Sequence, residues 1–218
     1  MKLDLHVHSH YSSNATWRID AVGSPKQIVG QAVHAGLDGV AVTDHNTIRG
    51  ALEALKAAKG MKGFIVIPGI EVSSASGHIL ALGVTRDVPR GLPVAETIEM
   101  IHALGGIAVA SHPYANFPRH SLGDEIGRNR FDAIEAWNSR VRTALNERAA
   151  RAAQAHGMPA IANSDAHHWK DVSLSYTNVE GNDPLSAIKK GRVEPVYKRM
   201  SPSRYARLFG AKILRNLR

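Results

Sequence analysis

Short apolar runs alternate along the chain with stretches in which apolar residues recur every three or four positions. The stretches are predicted helices, and the runs are predicted strands. Strands that alternate with helices are typical of a parallel sheet, so the pattern predicts an α/β fold of one domain. The predicted strands cover 3–8, 39–43, 64–72, 78–83, 107–111, 133–137 and 160–163.

Residues that typically cap or interrupt helices indicate where the helices and loops between these strands begin and end. Ser24 before Pro25 is a typical helix start, and we expect Thr47 to cap a second helix. Two polar segments with poor periodicity are predicted to be loops over a site. Further helices are predicted over 93–104 and 141–156, and the two loops over 114–129 and 171–183.

Seven strands with interleaved helices favour a closed barrel over an open doubly wound sheet, which remains the second choice. No GxGxxG motif follows the first strand, so a dinucleotide-binding sheet loses its main support. We expect residues 1–200 to form the barrel and 201–218 to form a basic helix packed on it. The apolar stripe predicted to face the barrel, with basic residues opposite, consists of Tyr205, Leu208, Phe209, Ile213, Leu214 and Leu217.

Composition narrows the possible partners. The chain carries a formal net charge of +8, and ten of its basic residues lie in 189–218 beside a single acidic one, Glu194. This segment is interpreted as a solvated helix or, alternatively, as a surface for nucleic acid or acidic lipid. The absence of cysteine excludes disulfides and thiolate metal sites. No apolar run is long enough to cross a bilayer, so we expect a soluble cytoplasmic protein without a membrane partner.

Twelve histidines fall into two groups. His34, His102 and His156 lie in the last turns of predicted helices, where an imidazolium meets the C-terminal carbonyl groups, and they are interpreted as structural. The others follow strands. The side chains of His6 and His8 lie two positions apart in a strand and therefore project from the same face.

Further polar residues occur where the other strands end. The carboxyl ends of parallel strands open onto one face of a barrel, where active sites are built. Converging imidazoles and carboxylates would be costly without divalent cations to compensate them. Nitrogen and oxygen ligands suit zinc, manganese or iron. The strand-end residues are Asp44, His45, Glu71, His78 on a returning antiparallel strand, His112, Asp165 and His167.

These motifs, His-x-His, Thr-Asp-His, Gly-x-Glu, Ser-His-Pro and Ser-Asp-Ala-His, resemble the signature of the PHP (polymerase and histidinol phosphatase) family over residues 3–167. The resemblance implies a distorted (β/α)7 barrel with two or three divalent metal ions. It implies His6, His8, Glu71 and Asp165 as ligands of a first metal. Glu71, shared, with His78 and His112 would bind a second, and His45 and His167 a third.

One position departs from the family pattern. Relatives usually supply a further third-metal ligand just after Tyr-Ser, where this chain has Ser13 and Asn14. Neither is a strong ligand, so the third metal is expected to be weak, exchangeable or absent. His10 and His168 are spare imidazoles that could replace the missing ligand.

Phosphoester hydrolysis is the activity that the resemblance implies, with a small phosphorylated substrate. A water bridging two metals has its pKa lowered towards neutrality, which supplies hydroxide. Asp165 and Glu71 are assigned to the metals, and Asp44 is expected to orient a ligand imidazole or the water. Arg119, His120 and Arg140 are predicted to bind the anionic substrate. The alternatives are a metal-dependent amidohydrolase and a non-catalytic metal module that binds nucleic acid; the oligomeric state stays open.

Overall fold

The computed structural model describes residues 1–13, 18–115 and 121–216. Within these ranges, nine strands form one sheet in the order β7-β6-β5-β4-β3-β2-β1-β8-β9. The strands are β1 (Lys2–Val7), β2 (Gly39–Val42), β3 (Ile65–Ser73), β4 (His78–Leu82), β5 (Ile107–Ala110), β6 (Ala133–Asn138), β7 (Ala160–Asn163), β8 (Tyr176–Val179) and β9 (Val193–Val196).

Seven helices connect or follow these strands in the described residues: α1 (Pro25–His34), α2 (Arg49–Ala57), α3 (Val94–Ala103), α4 (Glu125–Arg128), α5 (Thr143–Ala155), α6 (Pro184–Lys189) and α7 (Pro202–Asn216). A 3-10 turn covers Trp169–Asp171. Among the helices that the structure describes, none combines the length and the hydrophobicity needed to span a bilayer.

The sheet curls into a nearly closed barrel, as predicted. The amide of Leu5 donates to Oδ1 of Asn163 over 3.0 Å, and the amide of His8 donates to the carbonyl of Ala166 over 2.9 Å. These bonds join the first and seventh strands at the seam. An apolar cluster draws residues from β1 to β8 and from α6, as expected on the inside of a curved sheet. The α/β barrel fold is therefore confirmed.

The seven predicted strands are all present, and the antiparallel return of β4 is as predicted: His78 pairs with Ser73 of β3. The segment 171–183 is not all loop, because it contains β8, which pairs antiparallel with the start of β1. β8 and β9 are partly exposed and mix polar with apolar residues, so neither carries the continuous apolar run by which the other strands were identified.

Of the two predicted helix caps, Ser24 is confirmed and Thr47 is wrong. Ser24 caps α1 through a capping box with Gln27, and Gly36 adopts a φ of 74° just after its end. Thr47 does not cap α2, contrary to the prediction. Ile48 occupies that position, and the Thr47 hydroxyl only accepts a 3.3 Å bond from the amide of Arg49. The predicted loop 114–129 contains the short helix α4, and residues 116–120 of it lie outside the described residues.

Most of the predicted apolar stripe of α7 faces solvent instead of the barrel. Phe209 and Leu214 are 59% and 66% exposed, whereas the side chain of Lys212 is buried at 6% exposure. Of the predicted apolar stripe, Leu208 is buried, and Leu217 lies outside the described residues. Two buried aspartates beneath the helix account for this orientation: Arg204 and Arg207 bond to Asp171, and Lys212 bonds to Asp20.

Candidate metal centre

Glu71, near the end of β3, lies at the middle of a cluster of imidazoles and is 1% exposed. Its Oε1 atom is 3.0 Å from Nδ1 of His78 and 2.9 Å from Nε2 of His112. Its Oε2 atom is 3.3 Å from Nε2 of His6, 3.1 Å from Nε2 of His8 and 3.2 Å from Nδ1 of His45. The two oxygens of one carboxylate therefore face two different sets of nitrogen donors.

Asp165 completes the set that includes His6 and His8, which is called the first set below. Its Oδ1 atom lies 3.6 Å from Nε2 of His6 and 3.5 Å from Nε2 of His8, and the two Nε2 atoms are 3.0 Å apart. Asn138 donates to the other oxygen, Oδ2, over 3.1 Å, so the carboxylate is held from behind. The first set thus combines two imidazoles with two carboxylates, all buried.

The backbone carries strain at two of these positions. His112 and Asp165 adopt φ values of 30° and 51°, in the left-handed region that non-glycine residues seldom occupy. Such conformations cost of order 1–3 kcal/mol each and cluster at functional sites. In both cases the strained residue lies two positions after the end of a strand and brings its side chain towards Glu71 or the His6–His8 pair.

The nitrogen and oxygen atoms of the first set are suited to bind a cation. Nδ1 of His6 lies 2.9 Å from Oε1 of Glu135, and in the tautomer this contact requires, Nδ1 donates and Nε2 keeps its lone pair. That lone pair faces carboxylate oxygens of Glu71 and Asp165, which are also acceptors. Only a proton or a metal ion satisfies such an arrangement.

Electrostatics support the same interpretation. Burial alone would raise the pKa of Glu71, but the facing imidazoles hold it well below the ordinary value. Burial alone would lower the pKa of His6, but the charges of Glu135, Glu71 and Asp165 raise it well above the ordinary value. Glu71 is thus ionised, and without a metal His6 retains a proton in the position where a divalent ion would bind.

Overlapping groups of donors extend across the site. Within the described residues, each of four groups offers three ligand atoms that lie within 4.8 Å of one another, the spacing expected around metal ions: His6, His8 and Asp165; His6, Glu71 and His112; His45, Glu71 and His78; and His8, His45 and His167. All eight residues predicted as metal ligands are therefore brought together.

A third set of ligand atoms, around His45 and His167, includes Asp20, a carboxylate that the sequence analysis did not identify. Oδ2 of Asp20 lies 2.9 Å from Nε2 of His167 and 3.6 Å from Nε2 of His45. Burial lowers the pKa of His45 to about 4, and burial together with Arg140 lowers that of His167 to about 3. Both rings are therefore neutral at pH 7, which is the state that binds a metal.

The predicted substrate-binding residues have different outcomes. Arg140, just after β6, donates from one terminal nitrogen to Oδ1 of Asp165 over 3.3 Å, and the same nitrogen contacts both Nδ1 and Nε2 of His167. It is therefore at the mouth of the cluster. Arg119 and His120 lie outside the described residues.

Asp44 is buried beside the cluster but faces another way. The amide and the hydroxyl of Ser9 donate to its two oxygens over 2.6 and 2.7 Å. The carboxylate thus supports the turn after β1, and these contacts do not favour the predicted role in orienting a water or an imidazole.

Glu135 occupies the supporting position that was predicted for Asp44. Besides His6, it accepts the backbone amide of His112 over 2.8 Å and the side-chain amides of Asn138 and Asn163 over 3.1 and 3.0 Å. The signal was a lone glutamate in the buried strand Ala133–Asn138. Such a residue requires partners, because an unpaired buried charge is costly.

The two spare imidazoles do not join the donor groups found in the described residues. Nδ1 of His10 lies 3.2 Å from the carbonyl of Gly23, and Nδ1 of His168 accepts the amide of Lys170 over 3.2 Å. Ser13 is exposed, and Asn14 lies outside the described residues.

Known proteins are similar to this chain in sequence or in fold. The chain is 41% identical over 143 residues to an uncharacterised protein of Methanocaldococcus jannaschii, which covers 64% of this chain and 82% of the relative. An amidohydrolase of Chromobacterium violaceum matches with a TM-score of 0.65 at 18% identity, over 89% of this chain and 98% of the other. A candidate metal-dependent phosphoesterase of Bifidobacterium adolescentis matches with a TM-score of 0.63 at 16% identity, over 96% of both chains.

Family models cover most of the site. The model of the PHP domain matches residues 4–127, more than half of the chain, and includes His6, His8, His45, Glu71, His78 and His112. A second model, described as PHP-associated, matches residues 143–193, which include Asp165 and His167. The chain therefore belongs to the PHP-domain family.

Proposed function

We propose that this chain is a metal-dependent hydrolase of phosphoesters. The observation that carries the proposal is the position of Glu71, whose two oxygens face two separate sets of imidazoles at 2.9–3.3 Å. A carboxylate in that position is suited to bridge two metal ions. When bound, two divalent ions would polarise a phosphoryl oxygen and supply hydroxide at neutral pH.

The residues of the chain account for the remaining steps. Arg140, at 14% side-chain exposure, binds and orients an oxygen of the phosphoryl group through its guanidinium. Asp165 would hold a metal ion through Oδ1, which faces His6 and His8, while Asn138 fixes its other oxygen. Glu135 keeps the proton of His6 on Nδ1, so that Nε2 remains a ligand atom.

We infer that the rest of the substrate binds in a cavity beside the cluster. A cavity of about 540 Å³ adjoins His45 and is lined by Tyr11, Arg49, Asp87 and Arg90 among others. The guanidinium carbon of Arg49 lies 4.8 Å from the ring centroid of Tyr11. Two arginines and an aromatic ring suit a leaving group that carries negative charge or a planar ring.

An amidohydrolase is the second candidate, favoured by the name of the Chromobacterium violaceum protein. Amidohydrolases with a bridging carbamate need a lysine at a strand end. Glu71 lies at that position here, and the buried Lys212 comes from α7 and is paired with Asp20. The donor set therefore favours phosphoesters over C–N bonds.

A non-catalytic nucleic-acid module is less well supported than either enzyme. Three basic residues of α7 form ion pairs with aspartates of this chain: Arg204, Arg207 and Lys212. These ion pairs neutralise part of the positive charge of the segment. A salt-dependent gel shift without turnover would favour this alternative.

The test is a substrate panel with the purified full chain. Phosphate monoesters, phosphodiesters and amides are incubated with Mn²⁺, Zn²⁺ or Fe²⁺, and with chelator as the control. We expect turnover of phosphoesters that is lost with chelator and in Glu71→Gln. Turnover of amides alone would favour the second candidate. No turnover of any substrate with any metal would contradict the proposal.

A further inference from the structure

Asp20 is a buried carboxylate in a segment that none of the sequence motifs covers. Its amide donates to the carbonyl of Ser12 over 2.9 Å, which keeps the segment against the turn after β1. The side chain is 2% exposed and directs Oδ2 towards the space between His45 and His167. This position is suited to a metal ligand that completes a set with the two imidazoles.

The second oxygen of Asp20 is bound from the opposite end of the chain. Nζ of Lys212, on α7, lies 2.5 Å from Oδ1, across a separation of 192 positions. Lys212 is 6% exposed, although lysine is seldom buried unless it is paired. Because the ammonium binds Oδ1, the carboxylate keeps Oδ2 directed at the imidazoles.

Further contacts fix α7 against the same segment. The side chain of Asn216 accepts the amide of Ile19 over 3.0 Å and donates to its carbonyl over 2.9 Å. The hydroxyl of Tyr205 donates to the carbonyl of Arg140 over 2.5 Å. One helix therefore holds both the Asp20 segment and the residue at the mouth of the cluster.

We propose that Asp20 is the carboxylate ligand of a third metal position, with His45 and His167, and that Lys212 is the residue that positions it. The C-terminal helix is then part of the metal centre. Asp20 thus fulfils the role for which Ser13 and Asn14 are poorly suited. The inference rests on the metal centre of the proposed function, but not on which ester is hydrolysed.

The distinguishing measurement is metal binding. Metal-free full-length protein is titrated with Mn²⁺ by calorimetry, and the bound metal is counted by elemental analysis. We expect three ions per wild-type chain and two for Asp20→Asn, which preserves the size of the side chain. Lys212→Gln should raise the Kd of the third ion about 10- to 100-fold, the range known for residues that orient ligands, and leave the other two unchanged.

Two variants separate positioning from folding. Lys212→Arg keeps the cation and should recover part of the affinity for the third ion. Arg215→Met removes an exposed basic residue from the same helix and should leave all three ions in place. Thermal melting of the metal-free variants monitors the fold, and Asp20→Asn carries the test if Lys212→Gln melts early.

Several results would overturn the inference. Three ions retained in Asp20→Asn would exclude Asp20 as a ligand, and tighter binding of the third ion in Lys212→Gln would mean that the ammonium competes with the metal. Two ions in the wild type would also overturn it, while leaving the proposed function intact. No ion in the wild type, together with no phosphoester turnover, would overturn both.

Discussion

Nδ1 of His6 lies 2.9 Å from Oε1 of Glu135, and 129 positions separate the two residues in the chain. This contact fixes the orientation of the ring and leaves Nε2 facing Glu71 and Asp165. Glu135 also bonds to the backbone of His112. A single buried carboxylate of β6 thus supports residues on both sides of Glu71.

Replacement of Glu135 by glutamine should weaken the metal centre. The amide of glutamine has one acceptor oxygen where the carboxylate has two, so either His6 or His112 loses its support. We expect the Kd for metal to rise about 10- to 100-fold, measured by calorimetry on metal-free protein. Glu53→Gln, on the exposed face of α2, is the matched control and should bind as the wild type does. Equal Kd values for the two variants would contradict the role given to Glu135.

Metal affinity should depend on pH. The carboxylates raise the pKa of His6 above its ordinary value, despite its burial, so the metal-free protein holds a proton there at neutral pH. A raised pKa means that the proton is fully bound below about pH 6.5 and is lost as the pH rises through the higher folded value. Since a metal must displace this proton, affinity should increase by up to about tenfold per pH unit in that window.

The comparison with Glu135→Gln tests the cause of that dependence. Glu135 is the strongest of the charges that raise the pKa of His6, so its removal should make the slope of log Kd against pH shallower. Binding measured at intervals between pH 6.5 and 8.5 gives the slope. A flat wild-type profile would show that His6 carries no displaceable proton.

Arg140→Ala should raise KM for a phosphoester, by about tenfold or more, because a charged hydrogen bond contributes about 1.5–3 kcal/mol. The guanidinium also contacts Asp165 and His167, so the metal content of the variant must be measured alongside. Loss of turnover with unchanged KM, or loss of metal, would assign Arg140 to the ligands instead of the substrate. Arg128→Ala, an exposed arginine of α4, is the control.

Two glycines in helices should respond in opposite ways to alanine. A Cβ at Gly50 would lie 1.8 Å from Oδ2 of Asp44 and 2.6 Å from Oγ of Ser9, and Asp44 cannot retreat without breaking its bonds to Ser9. We expect Gly50→Ala to lower the free energy of unfolding by about 1–3 kcal/mol. At Gly30 nothing lies within 4 Å of the added Cβ, so Gly30→Ala should raise it by about 0.5–1 kcal/mol. Denaturant melts measure both, and equal shifts would contradict the packing described here.

The strand ends were predictable from the sequence because each ligand follows an apolar run and parallel strands end on one face. The residues that lie together for this reason include His6, His45, Glu71, His112 and Asp165. β8 was too polar to identify from the sequence, although it pairs with β1 in the sheet.

The supporting residues were beyond the reach of local patterns. Asp20 and Lys212 are 192 positions apart, and neither stands in a motif. The apolar stripe of α7 correctly indicated an amphipathic helix, but among its described members only Leu208 is buried. Buried aspartates, which only the fold brings beneath α7, pair with its basic residues.

The central claim, that distant segments share cations at Glu71, is tested most directly by diffraction from crystals grown with Mn²⁺ or Zn²⁺. We predict anomalous-difference peaks on both sides of the Glu71 carboxylate, within about 2.0–2.3 Å of ring nitrogens of His6 and His8 on one side and of His112 on the other. Peaks confined to the surface, or none despite saturating metal, would contradict the account.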